Sequence, residues 1–437
     1  MKMGKTVVVN LCRLLLAAVF TFSGFVKAVD PMGTQYKLHD YLVAMHLESL
    51  ATDTILIVAA VGLAALEFTL GICLLFAIQR RLVTRISLCL MALMTPLTLW
   101  LAIANPISDC GCFGDAVHLS NWMTFWKNVV LSACAVIVAL WPLRMMRLIS
   151  QTNQWIVVQY TILFVFFLSG FCLYYLPVFD FRPYHIGANI PEAMQVPEGA
   201  ELPAYATTFV MEKDGHRQEF TLEDYPDSTW TFIEARTVQT RQGYVPPIHD
   251  LSMEDDEGED RTEEILHADG YTFLLIAPHL ETASDRHFGD IEQLHEYALT
   301  HHYPFYALTA SGIEARADWS DRTGAEYQFL TTDETTLKTM VRSNPGLMLL
   351  HNGTVVGKWS HNDLPVVGTE QFSDSLDRQP FVHHATASTL RKATTILLWY
   401  VVPLLLLTLA DRAWAWTKWV RRKKKKQQID SQPADQQ

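Results

Sequence analysis

Two cysteines one glycine apart, in Asp109-Cys110-Gly111-Cys112-Phe113-Gly114-Asp115, are the residues of this chain best placed to do chemistry. With a single residue between them their Cα atoms can be at most about 7 Å apart, which brackets the roughly 4.4–6.8 Å that a disulfide needs. Closing so short a ring strains the backbone, and Gly111 has the φ/ψ freedom to accept it. Strained, exposed disulfides are the exchangeable kind. Three readings stand side by side: a redox-active pair, a static disulfide, and unpaired thiols or metal ligands. Two thiolates alone make a poor metal site. The other cysteines, Cys12, Cys73, Cys89, Cys134 and Cys172, fall in apolar stretches, where a lone cysteine is usually a small packing residue. Asp109 and Asp115 oppose reactivity, because nearby negative charge raises a thiol pKa.

The elements around the pair are hydrophobic. Half of the 437 residues are apolar and 18% are charged, against about 25% charged in an ordinary soluble protein. Six stretches approach the roughly 20 apolar residues that cross a bilayer: Val7–Ala28, Thr54–Ala77, Val83–Ala104, Trp126–Leu143, Trp155–Leu176 and Thr394–Ala410. Lys2 and Lys5 precede the first. Arg80, Arg81 and Arg85 join the second to the third, Arg144 and Arg147 the fourth to the fifth, and Arg421 to Lys426 follow the sixth. This alternation predicts both termini in the cytoplasm, with the Cys-Gly-Cys turn and residues 180–390 outside. Trp414, Trp416 and Trp419 add an interfacial belt. A net charge of −12 removes the electrostatic basis for nucleic-acid binding.

Ionisable side chains inside spans are functional candidates by default. Arg13 and Glu67 stand out. Counted from the inner ends of their helices, their depths differ by roughly 6 Å at about 1.5 Å per residue. A helix–helix ion pair is one expectation; the other makes Glu67 a proton or quinone-headgroup ligand in the bundle.

Phe20-Thr21-Phe22-Ser23-Gly24-Phe25-Val26-Lys27, then Asp30-Pro31, Glu67 and Cys110-Gly111-Cys112-Phe113-Gly114, together resemble the DoxX/MauE group of four-helix membrane proteins. The resemblance covers about the first 150 residues. It implies thiol or sulfur redox chemistry near quinones, with Cys110 and Cys112 the redox pair and Glu67 the intramembrane acid. The bundle also resembles vitamin K epoxide reductase, but the Cys-X-X-Cys at that enzyme's quinone is absent here.

The outer region reads as α/β. An Asp214-Gly215 turn predicts a hairpin of Thr207–Glu212 with Arg217–Leu222. The acidic run Met253 to Glu264 reads as an exposed loop or linker. From Tyr271 onward, strands Phe273–Ala277, Phe305–Thr309 and Tyr327–Leu330 alternate with helices at Asp285–His301, Gly312–Arg322 and Glu334–Arg342. A hairpin of Leu347–Leu350 and Val355–Trp359 turns at Asn352-Gly353. This order, with Asn344-Pro345 before a strand, resembles a TlpA-type thioredoxin-like domain. That resemblance implies a cis bond at Pro345 and a Cys-X-X-Cys where this chain has Ala277-Pro278-His279-Leu280-Glu281-Thr282. No cysteine follows Cys172, so partner binding is the expected role. Thirteen of the sixteen histidines lie in this region, His301-His302 and His383-His384 among them; polar surface is the expectation, and no metal site.

The expected architecture is an α-helical membrane bundle, a four-helix DoxX/MauE-like core plus two further spans, with an extracytoplasmic α/β thioredoxin-like domain. Its parts are 1–150 (four-helix domain), 151–179 (fifth span), 180–265 (β-rich or linker), 266–390 (thioredoxin-like), 391–412 (sixth span) and 413–437 (basic tail). The expected function is extracytoplasmic thiol–disulfide chemistry in a bacterial inner membrane, with a protein partner held by the outer domain and a quinone as possible electron acceptor. The rival is a non-enzymatic receptor or scaffold with a static disulfide.

Overall fold

The computed structural model describes residues 2–430 apart from 108, 202–203, 214–215, 222–223, 225–228, 242, 367–375 and 377–379. The bundle is built from α1 (Lys2–Val29), α2 (Pro31–Ala44), α3 (Asp53–Phe76), α4 (Arg80–Ala104), α5 (Asn121–Leu140) and α6 (Gln154–Tyr174). All but α2 are long and apolar enough to cross a membrane, and the first five expected spans fall on them to within a few residues. α2 was not expected as a helix. Its start is chemically plain: Asp30 accepts from the Gly33 amide at 2.9 Å and Pro31 occupies the first turn.

The tightest contact joins α1 to α3. A Cβ on Gly24 would lie 2.3 Å from the Phe68 amide nitrogen, and one on Gly71 would lie 2.4 Å from the Thr21 hydroxyl. Small residues let two helices approach closely where no water drives them together. Leu16, Leu74, Ala17 and Ala64 fill the seam, all essentially inaccessible.

Beyond α6 come α7 (Ile190–Met194), a separate sheet of β1 (Ala204–Lys213), β2 (His216–Thr221) and β3 (Thr231–Arg241) in the order β2-β1-β3, and α8 (Thr262–Leu266). The β1–β2 hairpin meets expectation, although its Asp214-Gly215 turn lies outside the described residues. β3 was unforeseen. Next follow β4 (Tyr271–Ile276), α9 (Phe288–Thr300), β5 (Phe305–Thr309), α10 (Ile313–Thr323), β6 (Gln328–Thr331), α11 (Glu334–Met340), β7 (Gly346–His351) and β8 (Thr354–Ser360). They form a five-stranded sheet, β6-β5-β4-β7-β8, with β4, β5 and β6 parallel and the last two strands antiparallel. Every residue of β4 is buried, as a central strand covered on both faces requires. Asp333 caps α11, Asn352-Gly353 turns the hairpin with positive φ at both residues, and the Asn344–Pro345 bond is cis.

Two expectations need correction. The acidic run is exposed from Asp256 to Asp260, as a loop should be, but it is not a free linker: Met253 is inaccessible, and Glu254 exchanges backbone hydrogen bonds with Thr331 at the sheet edge. A division at 265/266 also cuts through one core, because Tyr184, Ile190, Ile248, Leu251 and Met253 pack with Leu274, Ile276, Leu308 and Leu330 on one face of the sheet. The chain closes with α12 (Pro380–Asp430), whose apolar span, Arg391–Lys423, contains the expected sixth one. The side chains of His383 and His384 lie outside the described residues.

The close α1–α3 approach predicts that Gly24→Ala lowers the stability of the detergent-solubilised protein by about 1–3 kcal/mol through overpacking. Gly62→Ala, on α3 but with nothing within 4 Å of the new methyl, stays within about 0.5 kcal/mol of the parent. Denaturant titrations of the two variants check this.

Candidate functional site

Ser23 and Lys27 stand one turn apart on α1, so their side chains share a face. Glu67 reaches them from α3. The Lys27 ammonium donates to the Ser23 hydroxyl at 2.7 Å, to Glu67 Oε2 at 2.8 Å and to the Cys112 carbonyl at 2.8 Å. An ammonium has three hydrogens, and here each has an acceptor. The Ser23 hydroxyl lies 2.7 Å from both Glu67 Oε2 and the Cys112 carbonyl, and its one proton serves either. All three side chains are buried.

The expected Arg13–Glu67 pair does not form. The Gly24–Phe68 and Thr21–Gly71 contacts set an antiparallel register that puts Glu67 level with Phe25, and Arg13 level with Gln79, past the end of α3. Arg13 instead donates to the Met146 carbonyl at 2.6 Å. The ends of the two helices are not level, because at this register α1 runs past the end of α3 at its basic end.

Above this cluster lies the turn after α4. Tyr41 of α2 donates to the Cys110 carbonyl at 2.7 Å, and Asp109 accepts from the Gly111 amide at 2.7 Å. Gly111 has φ of +61°, which L side chains rarely adopt, and a Cβ there would also press on Lys37 at 3.0 Å. The two Cα atoms are 5.4 Å apart and the sulfurs face each other in bonding contact. Cys110 is buried, Cys112 half-exposed. Phe113 packs edge-on to Phe22, and the Lys127 ammonium of α5 sits 4.2 Å from its ring centre. A cavity of about 40 Å³ lies between α1, α3, α4 and α5, with Lys27, Glu67, Lys127, Cys112 and Phe113 in its wall. Lys127 fell inside the fourth expected span, and its charge in apolar sequence was the signal that could have singled it out.

The α/β domain closes the far side. Arg342, three residues before Pro345, reaches Asp30 at 3.0 Å and Asp115, three residues after Cys112, at 3.2 Å. Tyr36 of α2 offers its ring to Arg342 and Lys338. Nothing in the sequence marked Arg342, whose partners are hundreds of positions away. A second buried cluster ties the segment after α6 to β8: Asp180 takes Arg182 at 2.7 Å and Lys358 at 2.6 Å.

The arrangement is that of a multi-pass membrane protein carrying an α/β domain over a polar, cysteine-bearing bundle end. Residues 5–142 match the family Methylamine utilisation protein MauE, so α1 to α5, with every bundle residue of the site, form a MauE-like membrane region. Residues 205–242, the three-stranded sheet, match a domain of unknown function (DUF8463). No curated protein and no solved structure matches the chain.

Removing one partner of the buried pair strands a charge. Lys27→Met is expected to lower stability by about 3–5 kcal/mol, and Lys27→Met with Glu67→Met to recover most of that loss. A double-mutant cycle on unfolding free energies measures it. At the domain junction, burial alone would raise the Asp30 pKa, but the charges of Arg342 and Arg182 and the bonds from Arg342 and Gly33 outweigh it and hold the carboxyl below its usual range. A depressed folded value means that the stabilisation is complete above the free aspartate pKa of about 3.9 and is lost as pH falls through the folded value. Hydrogen-exchange protection in α2 and around residues 338–346, taken relative to the intrinsic rate at each pH, is therefore expected to be constant from about pH 5 to 8 and to fall below about pH 4. Arg342→Met should give the open behaviour at every pH.

Proposed function

We propose that the protein carries out thiol–disulfide exchange through Cys110 and Cys112 on the extracytoplasmic side of a bacterial inner membrane. In this reading both termini are cytoplasmic and the α/β domain holds a protein partner beside the pair. The observation that carries it is the presentation of the two sulfurs. They are in bonding contact in a turn whose carbonyls are fixed by Tyr41, Ser23 and Lys27, with Cys112 the more accessible. In one direction, a thiolate of the partner attacks the Cys112 sulfur, the Cys110–Cys112 bond breaks, and Cys110 leaves as thiolate. The partner's second thiolate then attacks its own mixed-disulfide sulfur, releasing Cys112; two electrons pass to the pair, and the partner becomes a disulfide.

The α/β domain supports the reading as a thioredoxin-like module without its cysteines. The run β5-β4-β7-β8 within the sheet, a parallel pair followed on one side by two antiparallel strands, supports that resemblance. The His279–Thr282 stretch, where the cysteines would stand, is bonded to Asn344: its side-chain amide donates to the His279 carbonyl at 2.8 Å and to the Thr282 hydroxyl at 3.2 Å. The resemblance of the bundle also implies a quinone. The cavity of about 40 Å³ beside Glu67 has room for a few water-sized groups, at about 10–15 Å³ each, and not for a substituted quinone ring. No step above runs through one.

A scaffold with a static disulfide is the second reading, favoured by the anchoring of the turn on both sides, to Lys37 at Asp109 and to Arg342 at Asp115. Equilibration of the folded protein with glutathione buffers, read by thiol mass tags, separates the two. Exchange is expected to give both redox forms, and Cys110→Ser to trap a mixed disulfide on Cys112. A pair that remains fully oxidised in reducing glutathione while Cys110→Ser traps nothing overturns the proposal.

A further inference from the structure

Four cations surround the cysteine turn, and three of them are committed. Lys27 is paired with Glu67 at 2.8 Å and has spent its remaining hydrogens on Ser23 and the Cys112 carbonyl. Lys37 pairs with Asp109 at 3.2 Å. Arg342 is shared between Asp30 and Asp115. The fourth, Lys127, has no carboxylate within ion-pair distance among the described residues; its ammonium rests on the Phe113 ring. It lies about a turn and a half into α5, in an apolar stretch of sequence, and shares one cavity wall with Cys112, Phe113, Lys27 and Glu67. An aromatic face attracts a cation but does not neutralise it. An unneutralised lysine inside a spanning segment is costly, and such residues persist where they serve a site.

We propose that Lys127 is the electrostatic partner of the Cys112 thiolate: a positioning residue parked on Phe113 while the pair is oxidised and supplying the counter-charge once the pair is reduced. This rests on the exchange reading and names the group that makes Cys112, rather than Cys110, the nucleophile. In the reduced pair, the Cys112 thiolate attacks a sulfur of a partner disulfide. A Cys112–partner bond forms, the partner's own S–S bond breaks, and its second sulfur leaves as thiolate. Cys110, after giving its proton to water, attacks the Cys112 sulfur and releases the first partner sulfur as thiolate. The pair is oxidised by two electrons and the partner reduced by two. Neither step takes a proton from Lys127. The other charged or titratable groups around Cys112 are Lys27 on α1, Glu67 on α3, Lys37 and Tyr41 on α2, Asp109 and Asp115 in its own turn, and Arg342 from the domain. The carboxylates of these oppose a thiolate, and the cations among them are already engaged.

The test is the pH profile of Cys112 alkylation in the full-length protein, after reduction by tris(2-carboxyethyl)phosphine and with the Cys112 peptide followed by mass spectrometry. Chemical reduction bypasses partner exchange. A failure of the exchange reading therefore appears in the glutathione titration, and a failure of this one in the alkylation profile. Lys127→Met is expected to move the midpoint upward by about one pH unit, slowing alkylation near neutrality about tenfold. Lys127→Arg is expected to keep the parent profile. A Lys127→Met profile that superimposes on the parent's, or an equal shift in Lys127→Arg, overturns the proposal. If Lys127→Met does not fold, Lys127→Gln carries the same measurement, with the same two outcomes.

Discussion

A lysine and a glutamate buried in apolar helices cannot be left to find water, and the rest of the bundle end follows from satisfying them. Each ion alone would be destabilised by several kcal/mol, and their attraction offsets this only where geometry is good and the leftover donors find acceptors. Lys27 and Glu67 meet that condition through two outside groups, the Ser23 hydroxyl and the Cys112 carbonyl. The carbonyl belongs to the cysteine turn. The turn is thus held down by the same requirement that holds the charges together, and the glycine contacts between α1 and α3 set the register that lets the two side chains meet. Structural and chemical roles cannot be separated at this point in the fold: a change at Lys27 disturbs both the seam and the cysteine backbone.

The domain side obeys the same logic with the signs reversed. Asp30 and Asp115 come from the bundle, one capping α2 and one ending the cysteine turn, and Arg342 comes from the segment that enters β7. A guanidinium presents its donors in a planar fork, so one arginine can address two carboxylates at once where a lysine would serve as a point charge. The turn between Asp109 and Asp115 is consequently fixed at its base by Lys27, at one flank by Lys37 and at the other by the α/β domain. Any motion of the domain relative to the bundle acts on the residues next to the cysteines through a charged contact, not a greasy one.

Much of this was legible in advance because it depends on local pattern. Twenty apolar residues in a row, basic turns at alternate ends, a βαβ order and an Asn-Gly hairpin each follow from constraints acting within a few residues. The cysteine turn was legible for the same reason. What escaped depends on register and tertiary contact. Arg13 and Glu67 appeared level because depth was counted from helix ends, whereas the Gly24 and Gly71 contacts decide it. Lys27 closes the Phe20–Lys27 motif in the sequence, and only the fold makes it the partner of Glu67. Asp30-Pro31 holds the start signal of α2, and the alternating Ile233-Glu234-Ala235-Arg236 holds that of β3; both are local. Arg342 offered no local signal at all, since a basic residue at a helix end is ordinary until an acid from a distant segment meets it.

The division of labour between the two halves also has a physical rationale. In this α/β domain the stretch after β4 carries His279, Glu281 and Thr282, which are occupied with Glu334, Ser311 and Asn344. The bundle end differs from that stretch: its sulfurs are in contact, beside a cavity walled in part by a lysine that has no carboxylate at ion-pair distance among the described residues. A membrane-embedded cation has few ways to lower its energy, and a thiolate formed next to it is one of them. In the proposed reading, cysteines on the bundle end set a thiolate beside that lysine, so that each charge offsets the cost of the other.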